Sequence, residues 1–183
     1  QTFEELRGLD VGRWKDARFA GTRVPTLSEV LATIPEGKRL FIEIKCGEEI
    51  LPELKRDLVA AKRPSAQTVL ISFSAKVMAA AEKQFPELET YWIVDIKPNP
   101  KTGKPAARAE DLIRDAKAAG VDGLDLSGHE TIDRVYATKI RDAGLKLAVW
   151  TVNDPKLARM MIDAGVQGLT TDRPGWMREQ LLK

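Results

Sequence analysis

From residue 39 onward, apolar positions follow two alternating rhythms. Short runs rich in β-branched and aromatic residues predict strands over 40–45, 68–73, 90–96, 123–126, 146–152 and 168–171. The stretches between them repeat apolar residues at helical spacing, as Leu51, Leu54, Leu58 and Ala61 do in the first. Helices are therefore expected over 50–61, 75–85, 109–119, 131–143, 155–164 and 175–182, with Thr131 capping the fourth. Ala-Ala-Gly-Val at 118–121, Asp-Ala-Gly-Leu at 142–145 and Asp-Ala-Gly-Val at 163–166 each place glycine where a helix turns left-handed to stop. Before residue 39 the rhythm is weaker. Thr2 with Glu5, and Thr26 with Glu29, form capping boxes that start two short helices. Residues 11–24 have no clean period and read as a surface loop, with Trp14 and Phe19 expected to pin it to the body.

Strands alternating with helices imply βαβ crossovers and a parallel sheet. Six such units can be counted. A doubly wound open sheet is complete with six strands, whereas a closed (β/α)8 barrel needs two more. No Gly-rich phosphate fingerprint follows the first strand, which weighs against a dinucleotide fold. Polar or bulky groups stand instead at the C-terminal ends of several strands: Glu43, Lys45, Ser72, Asp95, Asp125, Trp150, Thr171 and Asp172. Several strands feeding one ring is the barrel pattern. Strand ends also border loops, which are polar anyway, so periodicity alone leaves the open sheet as an alternative.

Composition narrows the picture without changing it. The 183 residues suffice for one sizeable core, and 43% apolar with 31% charged is ordinary for a globular domain. A net charge of +2 calls for no nucleic-acid partner, and no apolar run approaches the roughly 18–20 residues of a membrane span. The single cysteine, Cys46, cannot form a disulfide within the chain.

The chemistry concentrates in Leu40-Phe41-Ile42-Glu43-Ile44-Lys45. Alternation puts Glu43 and Lys45 on one face of this strand and Ile42 and Ile44 on the other. A charged pair at the inner, C-terminal end of an apolar strand is costly unless something uses the charge, and a metal ion with a phosphate would use both members. A plain ion pair is the alternative. Downstream, Lys97-Pro98-Asn99-Pro100-Lys101-Thr102-Gly103-Lys104-Pro105 reads as a solvated loop whose three lysines could attract an anion.

Several of these segments together resemble the glycerophosphodiester phosphodiesterase family. They are the Thr-Phe-Glu-Glu-Leu-Arg-Gly-Leu-Asp start, Val-Pro-Thr-Leu-Ser-Glu-Val-Leu at 24–31, Phe-Ile-Glu-Ile-Lys at 41–45, Leu-Ile-Ser-Phe at 70–73, Val-Trp-Thr-Val-Asn at 149–153 and Leu-Thr-Thr-Asp-Arg-Pro at 169–174. The resemblance implies a TIM barrel, and it covers the last six β/α units. Residues 1–183 are thus expected to form a domain lacking the family's first two strands, with their His-Arg-Gly and Glu-x-Asp motifs. It further implies a divalent cation, Mg²⁺ or Ca²⁺, with Glu43 as ligand, Lys45 as the catalytic phosphate-facing lysine, and Trp150 as a substrate contact; Ser72, which faces the same end from its own strand, is read as a second substrate contact. His129, the only histidine, falls where the family's motifs place no catalytic residue. The activity implied is hydrolysis of glycerophosphodiesters to an alcohol and glycerol 3-phosphate. The alternative is a non-catalytic barrel remnant that binds a phosphate ligand or a partner chain. A barrel short of two strands exposes two sheet edges, so an N-terminal fragment or a self-associated copy is expected as partner.

Overall fold

The computed structural model describes residues 1–98, 100–102 and 106–182. Two short helices, α1 (Phe3–Arg7) and α2 (Leu27–Leu31), precede strand β1 (Leu40–Glu43). Six β/α units follow: β1 with α3 (Leu51–Ala61), β2 (Thr68–Ser72) with α4 (Ala75–Gln84), and β3 (Glu89–Val94) with α5 (Ala109–Ala119). The remaining three are β4 (Gly123–Ser127) with α6 (Arg134–Asp142), β5 (Lys146–Trp150) with α7 (Pro155–Ala164), and β6 (Gly168–Leu169) with α8 (Pro174–Leu181). The strands are parallel and their order in the sheet is their order in the chain, with β1 and β6 at the edges.

The two faces of the sheet bury different things. Leu70, Leu124, Leu126, Leu147 and Val149 point outward into the main core, where Met78, Ala81, Ala116, Ile140 and Met161 of the surrounding helices meet them. The opposite face carries a second, smaller cluster of Val69, Tyr91 and Ala148, with Ile71 beside it. That face is concave, because side chains from non-adjacent strands touch across it. Phe41 of β1 lies edge-on to Tyr91 of β3, with centroids 6.1 Å apart, and Phe73 beyond β2 lies edge-on to Trp150 of β5 at 5.5 Å. The sheet is a curled trough with helices on its convex side, as in part of a barrel wall. At its N-terminal end the trough is tied by Glu89, which accepts from Tyr91 Oη at 2.5 Å and pairs with Lys146 at 2.8 Å and with Arg39.

Local sequence explains most boundaries. Both expected capping boxes form, Thr2 with Glu5 and Thr26 with Glu29. Gly120, Gly144 and Gly165 take φ of 79°, 77° and 92°, as helix-ending left-handed residues do. Helix α6 starts later than expected. Asp133, rather than Thr131, caps it by accepting from Tyr136 N at 2.7 Å. Ile132 is fully buried in the preceding turn, and its N–H donates to His129 O at 3.0 Å, so the chain cannot enter the helix sooner.

The loop at 8–24 also differs from expectation. Trp14 is 80% exposed and Phe19 43% exposed, so neither pins the loop to the body. Its shape is internal: the Asp10 carboxylate accepts from the backbone N–H groups of Gly21, Arg13 and Gly12 at 2.8–3.0 Å, which holds its pKa down at about 2. Trp14 Nε1 donates to Val11 O, and Val11 N donates to Thr22 O, each at 2.9 Å.

Candidate active site

The C-terminal end of the trough is built from β1, β2, β4 and β5. Strand alternation sends Phe41 and Glu43 into the concavity while Ile42 and Ile44 pack toward the helices. Glu43 ends its strand with its side chain 30% exposed. Lys45, two residues on, is 75% exposed and donates to Glu43 Oε1 at 2.5 Å. The structure therefore brings the two charged residues together as an ion pair with the lysine on the solvent side.

Trp150 closes β5. Its Nε1 donates to Asp125 O at 3.0 Å, and its ring stands at 80° to that of Phe73. The indole is half-buried and held by a neighbouring strand's backbone, so it presents a fixed apolar wall. Ser72 does not join this group. It shares the parity of Leu70, only 2% of it is exposed, and its hydroxyl donates to Ile44 O at 2.7 Å while accepting from Ser74 N at 3.2 Å. Its work is to join β1 to β2 and to shape the turn into α4. Asn153 is likewise engaged in the frame: its side chain donates to Asp172 Oδ2 at 2.6 Å and accepts from Thr171 Oγ1 at 2.9 Å and Asp172 N at 3.0 Å. Asp95 accepts from Ser127 Oγ at 2.6 Å, and that hydroxyl accepts from Ile96 N at 3.0 Å, locking β3's extension to β4.

His129 sits apart. Its Nδ1 accepts from Thr131 N at 3.2 Å and lies 2.7 Å from Thr131 Oγ1, in a surface recess shared with Lys97, Glu130, Asp154 and Lys156. None of Glu43, Lys45, Asp125 or Trp150 lines that recess. Of the lysine-rich loop, Asn99 and residues 103–105 lie outside the described residues, so the Lys104 reading does too.

The residue that sequence reasoning undervalued is Asp125. It stands in β4 between Leu124 and Leu126, which point to the helices, so its own side chain points into the trough beside its ladder partner Ala148. Only 4% of it is exposed, and Oδ1 has no hydrogen-bond partner. Burial, reinforced by the negative charge of Glu43, pushes its pKa up to about 7. A carboxylate flanked by leucines in Gly-Leu-Asp-Leu-Ser was the available signal.

A hard divalent cation fits the oxygen donors this end of the trough offers, since Asp125 has an unsatisfied carboxylate oxygen there. Among the described residues no group of three or more His, Cys, Asp or Glu is arranged to hold an ion.

Comparison with known proteins agrees with this geometry. The model of the glycerophosphoryl diester phosphodiesterase family matches residues 1–176. A glycerophosphodiester phosphodiesterase of Caldanaerobacter subterraneus subsp. tengcongensis is 28% identical over 94% of this chain and 68% of its own length. One from Bacillus subtilis is 25% identical over 94% of this chain and 62% of its own. Among solved structures, an Oleispira antarctica phosphodiesterase in complex with the product sn-glycerol-3-phosphate superposes with a TM-score of 0.84 at 22% identity, covering 100% of this chain and 71% of that one. A glycerophosphodiester phosphodiesterase from Parabacteroides distasonis gives 0.74 at 24% identity, covering 99% and 71%. With nearly its whole described length matched and its curled parallel sheet shared, the chain belongs to the glycerophosphoryl diester phosphodiesterase family.

Proposed function

We propose that this chain carries the C-terminal part of a phosphodiesterase site that hydrolyses glycerophosphodiesters to an alcohol and glycerol 3-phosphate. The observation that carries the reading is the Glu43–Lys45 pair, 2.5 Å apart, at the concave C-terminal end of a parallel sheet. In this reading Glu43 is a ligand of a divalent cation, Mg²⁺ or Ca²⁺. Such an ion, when bound, supplies positive charge at the phosphodiester oxygens. Lys45 faces the non-bridging oxygens and offsets the charge that grows on them in the transition state. Trp150 offers its face to the glycerol or the head group.

One observation favours a second reading, a barrel remnant that binds phosphate without catalysis. Proton transfer to the leaving oxygen needs an acid of suitable pKa. The single histidine is committed to Thr131 in a separate recess, and the Glu43–Lys45 end holds no other imidazole.

Both readings share one structural expectation. The domain is a (β/α)8 barrel of which these residues form six units, and strands paired to the outer edges of β1 and β6 close it. Sedimentation of residues 1–183 by themselves should then show self-association through the open edges of β1 and β6; a strictly monomeric particle at every concentration refutes this expectation.

The functional test is release of glycerol 3-phosphate from glycerophosphocholine, with Mg²⁺ or Ca²⁺, in a sample whose chains have been weighed by intact mass. Activity abolished by Glu43→Ala supports the enzymatic reading. Absence of turnover from this chain alone, with product still bound, supports the remnant.

A further inference from the structure

A buried carboxylate with nothing to bind is the least settled group in the molecule. Asp125 is 96% withdrawn from solvent, from the 4% that remains exposed, and its Oδ1 accepts no hydrogen bond. An uncompensated carboxylate in such a place is strongly unfavourable, so native proteins give it a cation, a donor or a metal. No such donor reaches it among the described residues, and the charge it does feel is that of Glu43, another carboxylate. The nearby cations are spoken for: Lys45 pairs with Glu43, and Lys146 and Arg39 pair with Glu89 at the other end of the trough.

Position makes the orphan informative. Asp125 lies on the concave face, next to Ala148 in the β4–β5 ladder and under the indole of Trp150, which bonds its backbone carbonyl. Glu43 reaches the same concavity from β1, three strands away around the curl. Two carboxylates from different walls, one with an open and desolvated oxygen, make a receptor for a doubly charged hard cation.

We propose that Asp125 is a second protein ligand, holding with Glu43 a single divalent cation across the trough. The inference rests on the reading of Glu43 as a metal ligand and adds a ligand from β4. Water, the oxygens of a bound phosphate and groups on the strands that close the barrel are left to fill the remaining positions, since hard cations of this kind take six or more oxygens. Asp125 then links the ion to Trp150, whose position is fixed by the Asp125 carbonyl, so metal loading and the apolar wall of the site are coupled through one residue.

The test is direct binding, with terbium(III) as the probe, because it stands in for Ca²⁺ and its emission is excited by a nearby indole or phenol such as those of Trp150 and Tyr91. The chain should show saturable emission that Ca²⁺ or Mg²⁺ competes away. Asp125→Asn should weaken the binding at least tenfold, as should Glu43→Gln. Glu53→Gln, on the exposed side of α3, should leave it unchanged. Thermal melts in metal-free buffer confirm that each variant folds, and Ca²⁺ should raise the melting temperature of the parent chain but not of Asp125→Asn. Undiminished terbium affinity in Asp125→Asn, with Glu43→Gln impaired, overturns the role of Asp125 and leaves Glu43 as ligand. Undiminished affinity in both variants overturns the metal reading itself, and with it this inference.

Discussion

Replacing Asp125 with asparagine isolates the energetic consequence of burying a lone acid. In the unfolded chain this carboxyl titrates near 3.8, and in the folded, metal-free protein its pKa is raised to about 7. Between those values the native state keeps a proton that the unfolded state has lost, so stability falls as pH rises through the interval and levels off above it. Roughly three pH units at about 1.4 kcal/mol each give a penalty on the order of 4 kcal/mol above pH 7. Asparagine has nearly the same shape and never ionises. Asp125→Asn should therefore match the parent chain near pH 4 and exceed its stability increasingly toward pH 8, by up to about 4 kcal/mol. Urea denaturation at half-unit steps of pH, with EDTA present, reads this difference. Parallel stability profiles, or a variant less stable than the parent at pH 8, would refute the reasoning, because the acid would then have a compensating partner.

Three further substitutions probe the frame. Gly12→Ala would set a Cβ 2.1 Å from Phe19 O, so the loop at 8–24 must open; a cost of roughly 1–3 kcal/mol and faster tryptic cleavage at Arg13, Lys15 and Arg18 are expected. Phe85→Ala empties a site only 1% exposed beneath α4, and urea melts should show a loss of roughly 3–5 kcal/mol. Ser72→Ala strips the Ile44 carbonyl of its hydroxyl donor and Ser74 N of its acceptor, for about 1–3 kcal/mol, while affinity for glycerol 3-phosphate stays unchanged. A weakened affinity at full stability would support Ser72 as a substrate contact.

The fold was legible because its rhythm is strong. Helices α5 and α7 begin and end where periodicity and the glycine stops put them, and all six strands lie within a residue or two of their expected positions. Ser72 stands at a strand end, as a substrate contact would, while its parity with Leu70 turns it to the helix side. Misreadings arose where local pattern and tertiary context disagree. Thr131 has the chemistry of an N-cap, but the burial of Ile132 keeps the chain in a turn until Asp133. Trp14 and Phe19 looked like anchors because aromatic rings usually bury; the loop is held instead by Asp10, whose three amide bonds no sequence period announces. The Glu43–Lys45 pair follows from alternation alone, whereas the isolation of Asp125 depends on what surrounds it in space, which only the curl of the sheet determines.

That curl is assembled from neighbours in the strictest sense. Because β1 through β6 lie side by side in the order they are written, each new strand docks against the one made just before it. Every β/α unit then closes a short loop, and the entropy of bringing its ends together grows only slowly with length. Up to the closing of the barrel, these six units can fold in the direction of synthesis, one condensing on the last. The seams between units are accordingly the natural places to divide the gene, and complementary halves cut there should find each other when expressed together.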